Sequence, residues 1–271
     1  MIIDSHTHID NKGSLGIGMD KRNIQEWADF KELIEAKKLG VLANAACTAE
    51  FDQLSKIAGM LISFGIHPWV ADEFCHYKGE MSEEDKRLLI EQIDGKVNAI
   101  RDYYKRAEAV GEIGMDSVWC SCDDTLQRVL FIRQLDVAEE LKKPVVLHTK
   151  GREREIAEIL NAYSVKKLVH WYSGEQYLEE FLRQDCYFTI GPDHKTNPFV
   201  KKLISSVPLD RLLVETDGIS AVEWATGRTV KASEIPAILK GTFQAIAAIK
   251  NLSPEAAEKT IEENFYRYLG I

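Results

Sequence analysis

Residue types that bind metals recur in this chain just after short apolar runs. Asp4-Ser5-His6-Thr7-His8 closes the first run, and on a strand, whose side chains alternate faces, Asp4, His6 and His8 share one side. His-x-His on a strand can seat two ring nitrogens on one ion, with Asp4 placed to accept from a ring N–H and set its tautomer. Glu112 follows Ala109-Val110-Gly111, His148 closes Pro144-Val145-Val146-Leu147, and His170 closes Lys167-Leu168-Val169. Asp217 follows Leu212-Leu213-Val214-Glu215-Thr216. Burying one such group without a partner costs on the order of several kcal/mol, so six that converge need an organising charge. Four imidazoles and two carboxylates exceed the roughly four ligands of a zinc-like ion. They suit two divalent ions with one carboxylate bridging, and the resulting net positive pocket suits an anionic substrate. Five of the seven histidines (His6, His8, His67, His148 and His170) fall at ends of such runs, whereas His76 and His194 read as ordinary solvated loop residues.

The elements that must position these groups follow from hydrophobic periodicity. Strands are expected over 1–8, 40–47, 60–67, 107–115, 144–149, 167–171, 187–191 and 211–216. Helices are expected over 23–38, 83–105, 125–141, 153–163, 176–184, 198–206, 234–250 and 254–268. Ser82 suits the N-cap of the second, Leu126, Leu130, Val137 and Leu141 form the buried stripe of the third, and Ser253-Pro254 marks the start of the last. Eight such alternations predict a parallel sheet closed into a (β/α)8 barrel of TIM type, with an open doubly wound sheet as the alternative. In the barrel every group named above lies at the C-terminal mouth. No linker, repeat or low-complexity tract divides the chain, so residues 1–271 are expected to form one domain.

Composition narrows the class. Apolar residues make up 45% and charged residues 28%, which excludes wholesale disorder and permits a large core without disulfides. Lys and Arg total 34 against 43 Asp and Glu, a formal charge of −9 that argues against a protein that coats duplex nucleic acid. No apolar run approaches the roughly 18 residues of a membrane span, and charge at Asp4 argues against a cleavable presequence. Five cysteines, Cys47, Cys75, Cys120, Cys122 and Cys186, have no framework spacing, so free thiols and a cytoplasmic location are expected.

Taken together, Asp4-Ser5-His6-Thr7-His8, Gly65-Ile66-His67-Pro68, Gly111-Glu112-Ile113-Gly114-Met115-Asp116, His148-Thr149-Lys150, His170-Trp171-Tyr172-Ser173-Gly174 and Glu215-Thr216-Asp217 resemble, in order and spacing, the TatD-like metal-dependent deoxyribonucleases. The resemblance runs through the closing Glu263-Asn264-Phe265. It implies a (β/α)8 barrel in which His6, His8 and Asp217 hold one ion, His148 and His170 hold the other, and Glu112 bridges them. It further implies a metal-activated hydroxide that attacks a phosphodiester, with single-stranded DNA among the candidate substrates. On this reading Asp217 takes the proton, His67 contacts the phosphate or the departing oxygen, Lys150 adds positive charge, and Glu215 supports a histidine. The ligand chemistry admits zinc, manganese or magnesium.

The rim departs from the family pattern. The stretch usually reading Asp-x-Pro-aromatic-Leu is Asp217-Gly218-Ile219-Ser220, and the later Gly-basic-Arg-Asn-x-Pro segment is Gly227-Arg228-Thr229-Val230. The usual Arg after the fifth-strand histidine is Lys150, and His-Cys-Phe-Ser-Gly is His170-Trp171-Tyr172-Ser173-Gly174. Lysine keeps the charge but lacks the guanidinium fork. An amidohydrolase-like enzyme that cleaves C–N or C–O bonds is the alternative function, because the same barrel supports both chemistries. A non-catalytic metal-stabilised scaffold is the third. A glutamate where those enzymes often carry a carboxylated bridging lysine favours the phosphodiesterase. Gly13, Gly16 and Gly18 lack the dinucleotide-binding pattern and read as a mouth loop, Cys120-Ser121-Cys122 reads as packing or free thiol, and Arg152 and Arg154 beside Glu153 and Glu155 read as a solvated helix face.

Overall fold

The computed structural model describes residues 1–9, 21–74, 82–174 and 176–271. Runs rich in Val, Leu, Ile and Ala become strands buried on both faces, as a sheet covered by helices requires. They are β1 (Ile2–Thr7), β2 (Leu39–Ala45), β3 (Leu61–Phe64), β4 (Ala109–Gly114), β5 (Val145–His148), β6 (Lys167–Val169), β7 (Tyr187–Ile190) and β8 (Leu212–Val214). Each pairs in parallel with the next in chain order, from Ile2 opposite Leu39 to Ile190 opposite Val214. The ring then closes from β8 back to β1. Asp217 N donates to the His6 carbonyl at 3.1 Å, and Asp4 accepts from Thr216 N at 3.0 Å and from the Thr216 hydroxyl. The eight-stranded barrel expected from the alternation is therefore the observed fold, and the open sheet is not.

Twelve helices are described: α1 (Lys21–Glu35), α2 (Thr48–Leu54), α3 (Ala71–Phe74), α4 (Glu83–Ala99), α5 (Arg101–Arg106), α6 (Asp124–Leu141), α7 (Glu153–Leu160), α8 (Leu178–Arg183), α9 (Pro198–Ser206), α10 (Ile219–Thr226), α11 (Ile235–Lys250) and α12 (Pro254–Leu269). Local chemistry sets their starts. Ser82 and Asp85 form a reciprocal capping box on α4, Asp123 accepts from Thr125 N and Leu126 N at α6, and Ser253 accepts from Ala256 N at α12.

The single helix expected over 83–105 is interrupted at Ile100, whose φ of −103° and ψ of 12° leave the helical region. The break lets Tyr104 enter the core, where its hydroxyl donates to Gln134 Oε1 at 2.9 Å. Three mouth helices, α2, α3 and α10, were not anticipated. The glycines at 13, 16 and 18, together with Cys75 and His76, lie outside the described residues. His194 is not a solvated loop histidine: it is buried, with Nδ1 at 3.4 Å from the Gly191 carbonyl and the Thr242 hydroxyl. Cys47, Cys120, Cys122 and Cys186 are free. On the solvated face of α7, Arg154 pairs with Glu158, while Arg152 reaches Asp124 rather than its neighbour Glu153.

Candidate metal centre

Parallel strands in a barrel deliver their C-terminal ends to one mouth, and six strands deliver an acid or imidazole there. Glu112, near the end of β4, stands at the centre and is almost wholly buried. Its Oε1 lies 2.8 Å from His148 Nδ1, 2.7 Å from His170 Nε2 and 3.1 Å from His67 Nε2. Its Oε2 lies 3.2 Å from His8 Nε2 and 3.5 Å from His6 Nε2. Asp217 Oδ1 faces the second pair, 3.2 Å from His6 Nε2 and 3.6 Å from His8 Nε2. The two oxygens of one carboxylate thus divide five imidazoles into two sets.

Local backbone places Asp217. The residue adopts a left-handed conformation (φ 56°), which Asp tolerates better than most side chains, and Gly218 follows at φ 88°. A Cβ at Gly218 would approach the His8 carbonyl to 2.8 Å, so glycine lets the end of β8 pass close to the end of β1.

The histidines are held from behind by partners that orient their rings. Asp116 Oδ2 accepts from His148 Nε2 at 2.9 Å and from Trp69 Nε1 at 2.6 Å, while its Oδ1 accepts from Val118 N and Trp119 N. This pairing leaves His148 Nδ1 facing Glu112. Asn44 Nδ2 lies 2.8 Å from His6 Nδ1, and Ser63 donates to Asn44 Oδ1. Glu215, fully buried, has Oε2 3.6 Å from His170 Nδ1, and its Oε1 accepts from Trp171 N at 2.7 Å. His67 Nδ1 accepts from Trp69 N at 3.1 Å, which puts the ring proton on Nε2.

Asp4 departs from its expected role. It ties β8 to β1 through Thr216 rather than fixing a ring tautomer, and Asn44 stands beside His6 Nδ1 instead. Asn44 was missed, although an amide inside the apolar run 40–47 was a usable signal. Asp116 belonged to a recognised motif but received no role. Lys150 stands on the rim, where it donates to Ser173 Oγ at 2.7 Å, and is not part of the central cluster.

Electrostatics follow from the crowding. Burial alone would raise the Glu112 pKa, but the neighbouring His170 and His67 rings and the bonds from His148 and His170 hold it well below the usual carboxylate range. Burial also works against a charged His8, yet Glu112 and Asp217 push it up to about 9. Burial lowers His6 and His67, whereas carboxylate neighbours overcome burial to raise His148 and His170. Burial pushes Asp4 up to about 8 against its Thr216 bonds.

These residues fit a metal site on two counts. His6 Nε2 is buried without a hydrogen-bond partner although it points between two carboxylates, and His170 Nδ1 and Glu215 Oε2 are likewise unpartnered. The ligand atoms of His6, His8 and Glu112, and those of His67, Glu112 and His148, lie within 4.8 Å of one another in each set. Nitrogen and carboxylate donors at such spacing are the chemistry of divalent transition-metal sites.

A family model described as TatD related DNase matches residues 3–270. The chain belongs to that family. It is a metal-dependent hydrolase of TatD type, as the motifs implied. The chain is 27% identical over 285 residues to an uncharacterized metal-dependent hydrolase of Buchnera aphidicola subsp. Baizongia pistaciae, covering 100% of this chain and 96% of that protein. It is 25% identical over 251 residues to Deoxyribonuclease TATDN3 of Homo sapiens, covering 87% of each. Among solved structures it resembles a TatD homologue from Escherichia coli K12, with a TM-score of 0.69, 19% identity and coverage of 100% and 98%. It also resembles a TatD family hydrolase from Entamoeba histolytica, with a TM-score of 0.73, 15% identity and coverage of 98% and 97%. These two likenesses show the shared barrel. Among the described residues no helix is long and apolar enough to cross a membrane.

Proposed function

We propose that this centre hydrolyses phosphodiester bonds in an anionic substrate, single-stranded DNA among them, with two divalent cations, either zinc, manganese or magnesium. The observation that carries the reading is the division of labour on Glu112, whose Oε1 and Oε2 face separate sets of imidazoles. His6, His8 and Asp217 would hold one ion, His148 and His170 the other, and Glu112 would bridge. Such ions lower the pKa of water toward neutrality and neutralise charge on a phosphoryl group. The chain's own groups do the rest. Asp217, held ionised by His6 and His8 against the cost of burial, is the proton acceptor for the attacking water. His67 carries its proton on Nε2, burial keeps the ring neutral, and that N–H is aimed into the centre to contact a phosphoryl or departing oxygen. Lys150 supplies positive charge at the rim.

Names borne by relatives support the phosphodiester reading, including a human deoxyribonuclease and a 3'-5' RNA nuclease. A solved yeast amidohydrolase shares the barrel with a TM-score of 0.71 at 14% identity, which bears on fold alone. The deciding experiment is a metal-by-substrate matrix on purified protein, with single-stranded DNA, RNA, a simple phosphodiester and a cyclic amide, and Glu112→Ala as the blank. Phosphodiester turnover that needs added metal and vanishes in Glu112→Ala is expected. Turnover confined to the cyclic amide, or unchanged metal content and activity in Glu112→Ala, overturns the proposal.

A further inference from the structure

Four of the five tryptophans stand on the segments that follow strands at the mouth. They form two pairs. Trp69 and Trp119 follow β3 and β4, with ring centroids 6.2 Å apart at 84°. Trp171 and Trp224 follow β6 and β8, with centroids 6.2 Å apart at 63°. Large aromatic rings normally bury their area, yet Trp69 is 49%, Trp119 60% and Trp224 72% exposed.

One indole of each pair is anchored. The Trp69 indole N–H donates to Asp116, and its ring lies 5.1 Å from the His67 ring and 6.0 Å from the His148 ring, so the first pair abuts the metal centre itself. Lys150 Nζ lies 4.8 Å from the Trp119 ring centroid, a cation held on the same wall. In the second pair, the Trp171 backbone N–H is fixed by Glu215 and Thr189. Its ring lies so close to Gly191 that an added Cβ there would come within 3.1 Å. Strand order puts the two pairs nearly across the ring from each other, with Glu112 and its histidines between them.

We infer that the two tryptophan pairs are stacking platforms for unpaired nucleobases on either side of the scissile phosphate. The inference rests on the phosphodiesterase reading for what happens at the centre, but base stacking can be tested apart from turnover. Every base has a π-face, so exposed indoles bind a strand without regard to sequence, and an adjacent ammonium attracts its phosphates. A duplex keeps its bases stacked inside and offers the platforms nothing. Trp171 lies in the departing stretch 170–174, and Trp224 stands between the two departing segments that follow β8, so this device belongs to this chain's own rim.

The test is equilibrium binding in EDTA, where no strand is cut, read by anisotropy of a labelled oligonucleotide and by quenching of tryptophan fluorescence. The probes are a short mixed-sequence strand in deoxyribo and ribo forms, and a deoxyribo strand of equal length and charge whose central residues are abasic. Trp119→Ala and Trp224→Ala, both at exposed positions, are each expected to weaken binding of the base-bearing strands by about 5- to 150-fold. They should leave abasic-strand binding within about twofold, and Trp119→Tyr should restore most of the loss. Comparison of the deoxyribo and ribo strands identifies the sugar. Equal losses on base-bearing and abasic strands, or no loss on either, overturn the inference even if phosphodiester turnover is intact. Base-dependent binding that falls in the alanine variants upholds it even if the metal-loaded protein cuts none of the strands.

Discussion

Asp116→Asn is the sharpest test of how the centre is held. In the wild type one oxygen of Asp116 accepts hydrogen bonds from His148 Nε2 and the Trp69 indole N–H, while the other accepts from two backbone N–H groups. The carboxylate is fully buried, and its bonds hold its pKa well below the usual range although burial opposes ionisation. Asparagine keeps the shape but can offer only one side as an acceptor. If its oxygen stays on the two backbone donors, its amide faces His148 Nε2, and the imidazole must accept there and move its proton to Nδ1. That is the atom 2.8 Å from Glu112 Oε1, the one assigned to an ion. Lost support of this kind lowers metal affinity about 10- to 100-fold, or about 1.4–2.7 kcal/mol. This matches the roughly 1.5–3 kcal/mol attributed to a hydrogen bond to a charged group. Competition against a chelator of known affinity measures the loss for the ion that His148 would hold, and turnover at saturating metal should also fall. Affinity and turnover both within twofold of wild type would refute the claim that Asp116 sets the His148 tautomer.

Metal binding should release protons near pH 7 to 8, because His8, at about 9, carries a proton that an ion must displace, and His170 and His148 are shifted in the same direction. Calorimetry in two buffers of different ionisation enthalpy measures that release, which should shrink above pH 9. In the metal-free protein the protonated His8 pairs with Glu112 and Asp217, a stabilisation complete below its unfolded pKa of 6.5 and lost as pH rises through 9. The melting temperature of the metal-free form should therefore fall across that window, while that of the loaded form should not. Chelation at fixed pH should lower Tm by about 5–10 °C relative to protein held at 100 times its metal Kd, a difference of about 2.7 kcal/mol.

Much of the barrel was legible because strand and helix periods differ, and apolar runs of four to eight residues are hard to mistake when they alternate with amphipathic stretches. Helix α9 has the expected bounds, and α12 begins where Ser253-Pro254 placed it. The mouth segments were less legible. Helix α10 is short and lacks a side-chain cap at Gly218, so no local signal announced it. The break at Ile100 follows from Tyr104 reaching Gln134, a contact made across the core that no window of sequence contains.

The amino-acid sequence alone determined the fold class, the family and the identity of the groups at the strand ends. Those properties rest on periodicity and on residue type, both of which are local. Tertiary structure decided which oxygen of Glu112 faces which imidazole, that Asn44 and Asp116 rather than Asp4 stand behind the rings, and that His67 joins the central cluster. It also brought the tryptophans into two pairs around that cluster. Such relations depend on the order in which the barrel closes and on side-chain directions at its mouth, where residues as far apart as His6 and Asp217 meet at 3.2 Å.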